Sequence, residues 1–114
     1  MKSVLKDKSY QFAIRIVRLS QYLQSEKKEF VLNKQVLKSG TSVGALIMEA
    51  EFGQSRADFI SKMSIALKEA NETDYWLSIL KDTDYIDLKM FESLNSDCKE
   101  IIAMLVSTVK TAKK

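Results

Sequence analysis

No histidine and no proline occur among the 114 residues, which include only three glycines and one cysteine. Each shortage closes a route. Without histidine there is no partner for the Ser/His or Cys/His nucleophile pairs. The Glu-x-x-His ligand set by which ferritin-type bundles hold two metals is missing as well. Without proline, and with so little glycine, the chain has few built-in interruptions and long helices are favoured. A lone Cys98 allows no internal disulfide, so a reducing cytoplasmic interior is the expected home. No apolar run approaches the roughly 20 residues needed to span a bilayer, so no membrane role is expected. Charges in the opening MKSVLKDKSYQF break up any signal-peptide core.

Leu, Ile, Lys, Glu, Ala and Ser are abundant, and helices are favoured over strands. The length fits one domain able to bury a core without staples. Apolar residues recur every three or four positions at Leu5, Phe12, Ala13, Ile16, Leu19 or Ser20, and Leu23, which predicts a first helix over residues 3–27. Asn33 is a good N-cap and Gly53 a C-terminal stop, so a second helix is expected over 33–52. Ser55-Arg-Ala-Asp58 has capping-box spacing with Asp in place of Glu, and opens a third helix over 55–81. Its apolar positions include Phe59, Met63, Ala66, Ala70, Trp76, Leu77 and Leu80. Asp87 caps a fourth helix over 87–112, where Leu88, Phe91, Leu94, Cys98, Ile101, Leu105, Val109 and Ala112 form a near-heptad stripe. Four amphipathic helices on short turns can bury their stripes only against one another. The fold class expected is all-α, a single left-handed, up-down-up-down antiparallel four-helix bundle over residues 1–114.

KSGTSVGALIMEA (38–50) holds Gly40 and Gly44. A phosphate loop would need a preceding strand and a lysine after the second glycine, and neither is present. As helix, the two glycines lie four apart on one face and let a neighbouring backbone approach closely. Ser39 and Ser42 can each bond back to a carbonyl one turn earlier. The carboxylates Glu49, Glu69 and Glu72 are candidates for metal binding only in principle. An all-carboxylate site with no histidine suits iron or zinc poorly, and surface charge or pairing with Lys62 and Lys68 is the plainer reading. Cys98 falls on the apolar face of the fourth helix, where it serves as a small hydrophobe. Trp76 is expected in the core, with Tyr75 or Phe52 at a subunit interface. No catalytic set emerges and no cofactor motif is found.

Charge is distributed unevenly. Residues 1–48 carry nine Lys/Arg against three Asp/Glu, a balance of +6, and residues 49–100 carry six against twelve, a balance of −6. A polar stripe of Lys8, Gln11, Arg15, Arg18 and Tyr22 runs along the first helix, and Lys34 and Lys38 open the second. Such a stripe can follow a phosphate backbone. Equally, the basic half of one copy can meet the acidic half of another.

The run Gln35-Val-Leu-Lys-Ser-Gly-Thr-Ser-Val-Gly-Ala-Leu-Ile-Met-Glu-Ala50, then Ser55, Asp58-Phe59 and Ile65-Ala-Leu-Lys-Glu-Ala-Asn-Glu-Thr-Asp-Tyr-Trp-Leu77, resembles the 23S rRNA-intervening-sequence proteins, with the match lying roughly over residues 32–86. The resemblance implies a small bacterial bundle. Related bundles form a homopentameric barrel, and one, the accessory protein of diversity-generating retroelements, is strongly basic and binds nucleic acid and a reverse transcriptase. No enzyme activity is implied. Family-pattern positions are Gln35, Ser42, Glu49, Ser55, Asp58, Lys68, Glu69, Glu72, Tyr75, Trp76 and Leu77, which look like determinants of fold and assembly. Leu46-Ile47 stands where the family usually has Asn-Ile, so a polar group is lost. The leading expectation is a non-enzymatic homo-oligomer, a pentamer, binding RNA, DNA or a nucleoprotein partner through Lys8, Arg15, Arg18, Lys34 and Lys38. Gly40, Ser42, Gly44, Glu49, Glu69, Glu72, Tyr75 and Trp76 would then serve helix packing and assembly. The rival is a protein-protein assembly module in which the charged halves pair between subunits.

Overall fold

The structure, a computed structural model, describes residues 3–114. Four helices account for its regular structure: α1 (Val4–Ser25), α2 (Val31–Glu51), α3 (Arg56–Asp82) and α4 (Leu88–Ala112). At about 1.5 Å per residue each is roughly 30–40 Å long, so all must lie along the 44 Å axis of a body 22 × 20 Å across. The connections between them hold five, four and five residues. Five residues reach at most about 18 Å, less than a helix length, so consecutive helices run antiparallel. Each helix packs on its two neighbours in the closed order α1–α2–α3–α4–α1, and the backbones of the diagonal pairs stay apart. This is the four-helix bundle expected from the sequence.

Helix starts follow cap chemistry. Ser3 Oγ accepts from Lys6 N–H at 3.1 Å, Ser55 Oγ from Asp58 N–H at 3.0 Å and Asp87 Oδ1 from Met90 N–H at 2.8 Å, each satisfying an orphan donor of the first turn. Helix α2 departs from expectation. It begins at Val31, two residues before Asn33, and its cap position, Phe30, makes no side-chain cap bond. Instead Glu29 Oε1 takes the Asn33 N–H at 2.8 Å. The Asn33 side chain is freed to clasp α1: its Oδ1 accepts from Ser20 Oγ at 2.6 Å, and its Nδ2 donates to the Ser20 carbonyl at 3.3 Å. Gly53 also acts differently from a left-handed helix stop. Its φ is not positive, and a Cβ there would stand 2.9 Å from Asp58 Oδ2 and 3.0 Å from the Ala50 carbonyl oxygen. Crowding in a tight turn is what requires glycine there.

The core is one cluster drawn from all four helices, with Phe12, Ile16, Leu23, Val36, Val43, Leu77, Leu80, Cys98, Ile101 and Leu105 almost wholly enclosed. The glycine pair sits where α1 crosses α2. A Cβ on Gly40 would fall 2.7 Å from Ile16 Cγ1 and 2.8 Å from Cγ2, and one on Gly44 would fall 3.3 Å from the Ser9 carbonyl oxygen. Two interior glycines cost about 1 kcal/mol each against alanine. Full burial of Ile16 alone contributes about 1.5–3 kcal/mol, so the close approach outweighs one glycine and roughly offsets both. Trp76, expected in the core, is only half-buried at its margin, and its indole N–H donates to Glu72 Oε2 at 3.2 Å. The core position on that side of α3 belongs to Thr73, whose hydroxyl meets Ser39 Oγ at 2.9 Å and the Glu69 carbonyl at 2.8 Å. Cys98 is buried and directs its thiol at the Ala70 carbonyl, 3.3 Å away.

Gly40→Ala should lower stability. Overpacking against a β-branched side chain costs about 1–3 kcal/mol, and helix propensity returns only about 1 of that. Gly44→Ala, whose Cβ meets a carbonyl at ordinary-to-tight range, should lie near neutral. Denaturant melts of the two variants check the order, and Gly40→Leu should be the worst of the series. Burial, reinforced by the nearby Asp74 carboxylate, pushes the Cys98 thiol up from an ordinary 9.0 to about 12. Iodoacetamide at pH 8 should therefore leave the folded protein unmodified and label it fully in denaturant. Because the folded state holds this proton more tightly than the unfolded chain, the contribution is complete below pH 9 and is lost between pH 9 and 12. Cys98→Ala should flatten the alkaline loss of stability over that window.

Candidate functional site

The five basic residues singled out in the sequence do not form one free stripe. Lys8 Nζ lies 2.6 Å from Glu100 Oε1 on α4, and that bond holds its ammonium above the ordinary lysine range. Arg15 spans the same seam. Its guanidinium meets Asp97 Oδ2 at 2.7 Å, Ser93 Oγ at 2.8 Å and the Ser93 carbonyl at 3.2 Å. These two cations stitch α1 to α4. Arg18 donates only to Gln21 Oε1, at 3.2 Å. Arg18, Lys34 and Lys38 are exposed and form no ion pair among the described residues. Since Gly40 packs on Ile16 and Asn33 bonds Ser20, all three lie in the half of the bundle toward the α1–α2 turn, Lys34 and Lys38 on α2 and Arg18 on the side of α1 that meets Met90 and Leu94 of α4.

Beside them lies an apolar surface. Tyr10, Ile14 and Val17, spaced i, i+4 and i+7 on α1, are 61, 39 and 40% exposed, and Met48 on α2 is also exposed. A groove of about 560 Å³ runs between the helices here, lined by Tyr10, Ala13, Thr41, Gly44, Ala45 and Met48 among others. Its floor is low because the glycine contact brings α1 and α2 together and because the α2 wall, apart from Met48, carries only the small Thr41, Gly44 and Ala45. Sequence reading missed this stripe. Its signal was present: α1 has more apolar residues than one buried stripe needs, and the surplus itself recurs at helical spacing.

On α3 the outer face carries Ile65 and Tyr75, both exposed, with Ile79 half-buried. Tyr75 and Trp76 touch edge to face, their ring centroids 5.1 Å apart. The carboxylates do not converge. Glu49 Oε1 pairs with Lys62 Nζ at 3.4 Å, Glu72 serves the Trp76 indole, and Glu69 is half-buried farther along. Among the described residues no group of three or more His, Cys, Asp or Glu could hold a metal ion. Ser42 turns inward on its own helix, its hydroxyl donating to the Lys38 carbonyl at 2.6 Å. No helix of the described residues is long and apolar enough to cross a membrane.

The family model described as 23S rRNA-intervening sequence protein matches residues 1–107. A crystal structure at 1.70 Å resolution of a protein of unknown function from the S23 ribosomal protein family of Bacteroides thetaiotaomicron VPI-5482 is similar over 94% of this chain and 99% of that one, at 59% identity and a TM-score of 0.93. No curated protein matches. The family match takes in α1, α2, α3 and most of α4, and the relative shares the whole fold. The chain belongs to the 23S rRNA-intervening sequence protein family.

Proposed function

We propose that the protein is a non-enzymatic, cytoplasmic, homo-oligomeric scaffold whose copies associate through the outer face of α1 and α2. The observation that carries this reading is the exposed Tyr10, Ile14, Val17 and Met48 surface beside the groove. Aromatic and methionine side chains concentrate at protein interfaces, and a contiguous apolar patch on a small domain marks an interaction site. The non-enzymatic part is supported by the side chains available. With no histidine, the nucleophile of choice would be Cys98, which is buried with its proton held tightly. A contact between unlike faces repeats from copy to copy and closes into a ring when the rotation allows. The resemblance to pentameric bundles favours five copies.

Solution mass tests this reading. The expected value is five times the 13.0 kDa chain mass, falling to a single chain for Tyr10→Glu combined with Val17→Glu while the helical circular dichroism is retained. A wild-type protein that sediments as a single chain at micromolar concentration overturns the reading. A second reading, nucleic-acid binding, is favoured by one observation, the unpaired Arg18, Lys34 and Lys38 in one half of the bundle. Contact would be electrostatic and steeply salt-dependent. Fluorescence anisotropy with a labelled RNA at low salt should then show binding that is lost in the triple charge reversal at these positions and kept in Lys8→Gln.

A further inference from the structure

We infer that the α1/α2 groove seats helix α3 of a second copy, with neighbouring copies parallel and at the same height. This rests on the oligomeric reading above and adds which surfaces meet and in what register. The chain exposes two apolar faces, Tyr10, Ile14 and Val17 on α1 and Ile65 with Tyr75 on α3. They sit on diagonal helices whose backbones stay apart. A two-fold contact through either face leaves the other wet, whereas a heterologous contact buries both once per copy. The groove also has the form for it: low, small-residue walls flanked by Tyr10 and Met48, the arrangement in which a helix lays an i, i+3, i+7 face.

Charge and height agree with this seating. Lys34 and Lys38 are exposed on α2, the helix that forms one wall of the groove, and α3 carries Glu69 and Glu72 with Lys68 beside them. Ser39 bonds Thr73, so Lys38 and Glu72, each one residue away, lie at one level of the bundle. Arg18 joins that level because Ile16 packs on Gly40. Glu49 pairs with Lys62, which puts Met48 near the level of Ile65, one turn beyond Lys62. A parallel neighbour without axial shift therefore sets Ile65 against Met48 and Tyr10, and Glu69 and Glu72 against Lys38. An inverted neighbour would bring the acidic Asp82–Asp87 turn toward the apolar half of the groove.

Charge reversal with rescue tests the register, read by sedimentation across a dilution series. Lys38→Glu and Glu72→Lys should each raise the dissociation midpoint by about tenfold or more, and the combined variant should return to within about threefold of wild type. Glu69→Lys, which leaves the Trp76 bond intact, is the second α3-side variant, and melting curves confirm that each variant is folded. A combined variant no tighter than the single ones, or single variants that assemble like wild type, overturns this register while leaving the oligomeric reading standing. A wild-type protein that is a single chain removes both. Loss of RNA binding in Lys38→Glu with its mass unchanged gives the face to nucleic acid and also overturns the inference.

Discussion

The approach of α1 to α2 at Gly40 and Gly44 is the constraint on which the rest of the bundle depends. Ile16 occupies the space a side chain at position 40 would need, and the Ser9 carbonyl lies against Gly44. With those contacts fixed, α1 and α2 form a thin, closely packed pair, and the groove above them is shallow enough to be lined by side chains from both helices. The same residues that thin the helix for the core thereby shape the surface. A bulkier residue at position 40 would part the helices, strip burial from Ile16 and deepen the groove together.

Polar contacts in the seams set the heights at which surface residues lie. Ser20, Glu29 and Asn33 lock α1 to the start of α2, Ser39 and Thr73 lock α2 to α3, and Asp74 bonds Asn95 and Lys99 across α3 and α4. Each such bond contributes only about 0.5–1.5 kcal/mol net. Sliding one helix by a turn would leave buried partners unpaired, at about 1–3 kcal/mol for each group. The penalty for slipping exceeds the gain from bonding, so these groups act on register more than on stability. Among the described residues, no buried side-chain nitrogen or oxygen lacks a partner, which is the condition for that discrimination to work.

Much of the fold was legible because helical periodicity, cap residues and short turns are local signals. Ser55 and Asp87 cap where their spacing says they should, and the α4 stripe from Leu94 to Val109 is buried as its period requires. The misses have tertiary causes. Asn33 reads as an N-cap, but a buried clasp on Ser20 recruited it, and Glu29 took over the capping. Trp76 reads as core, yet the α2/α3 seam is narrow enough to take Thr73 inside, and the indole moves to the rim where Glu72 satisfies its N–H. The candidate site was half legible. The basic residues could be picked out by charge, whereas their partners could not, since Glu100 and Asp97 lie more than eighty residues away in sequence. The apolar stripe on α1 was hidden by the stronger core stripe of the same helix.

The division of the cations decides what the basic half can do. Exposed ion pairs such as Lys8–Glu100 and Arg15–Asp97 contribute little to stability, typically 0–1 kcal/mol. Their larger effect is subtractive: they take Lys8 and Arg15 out of the basic stripe and leave Arg18, Lys34 and Lys38 as its unpaired members. The acidic surplus, correspondingly, is left on α3 and the α3–α4 turn, where Asp82, Asp84 and Asp87 are exposed. Intramolecular pairing thus leaves exposed cations on α2 and carboxylates on α3 without an ion-pair partner, each beside an apolar face. At physiological salt, charges farther apart than about 8 Å scarcely sense one another. Among the described residues Lys34 and Lys38 form no ion pair with Glu69 or Glu72, so these charges are available to another surface brought into contact.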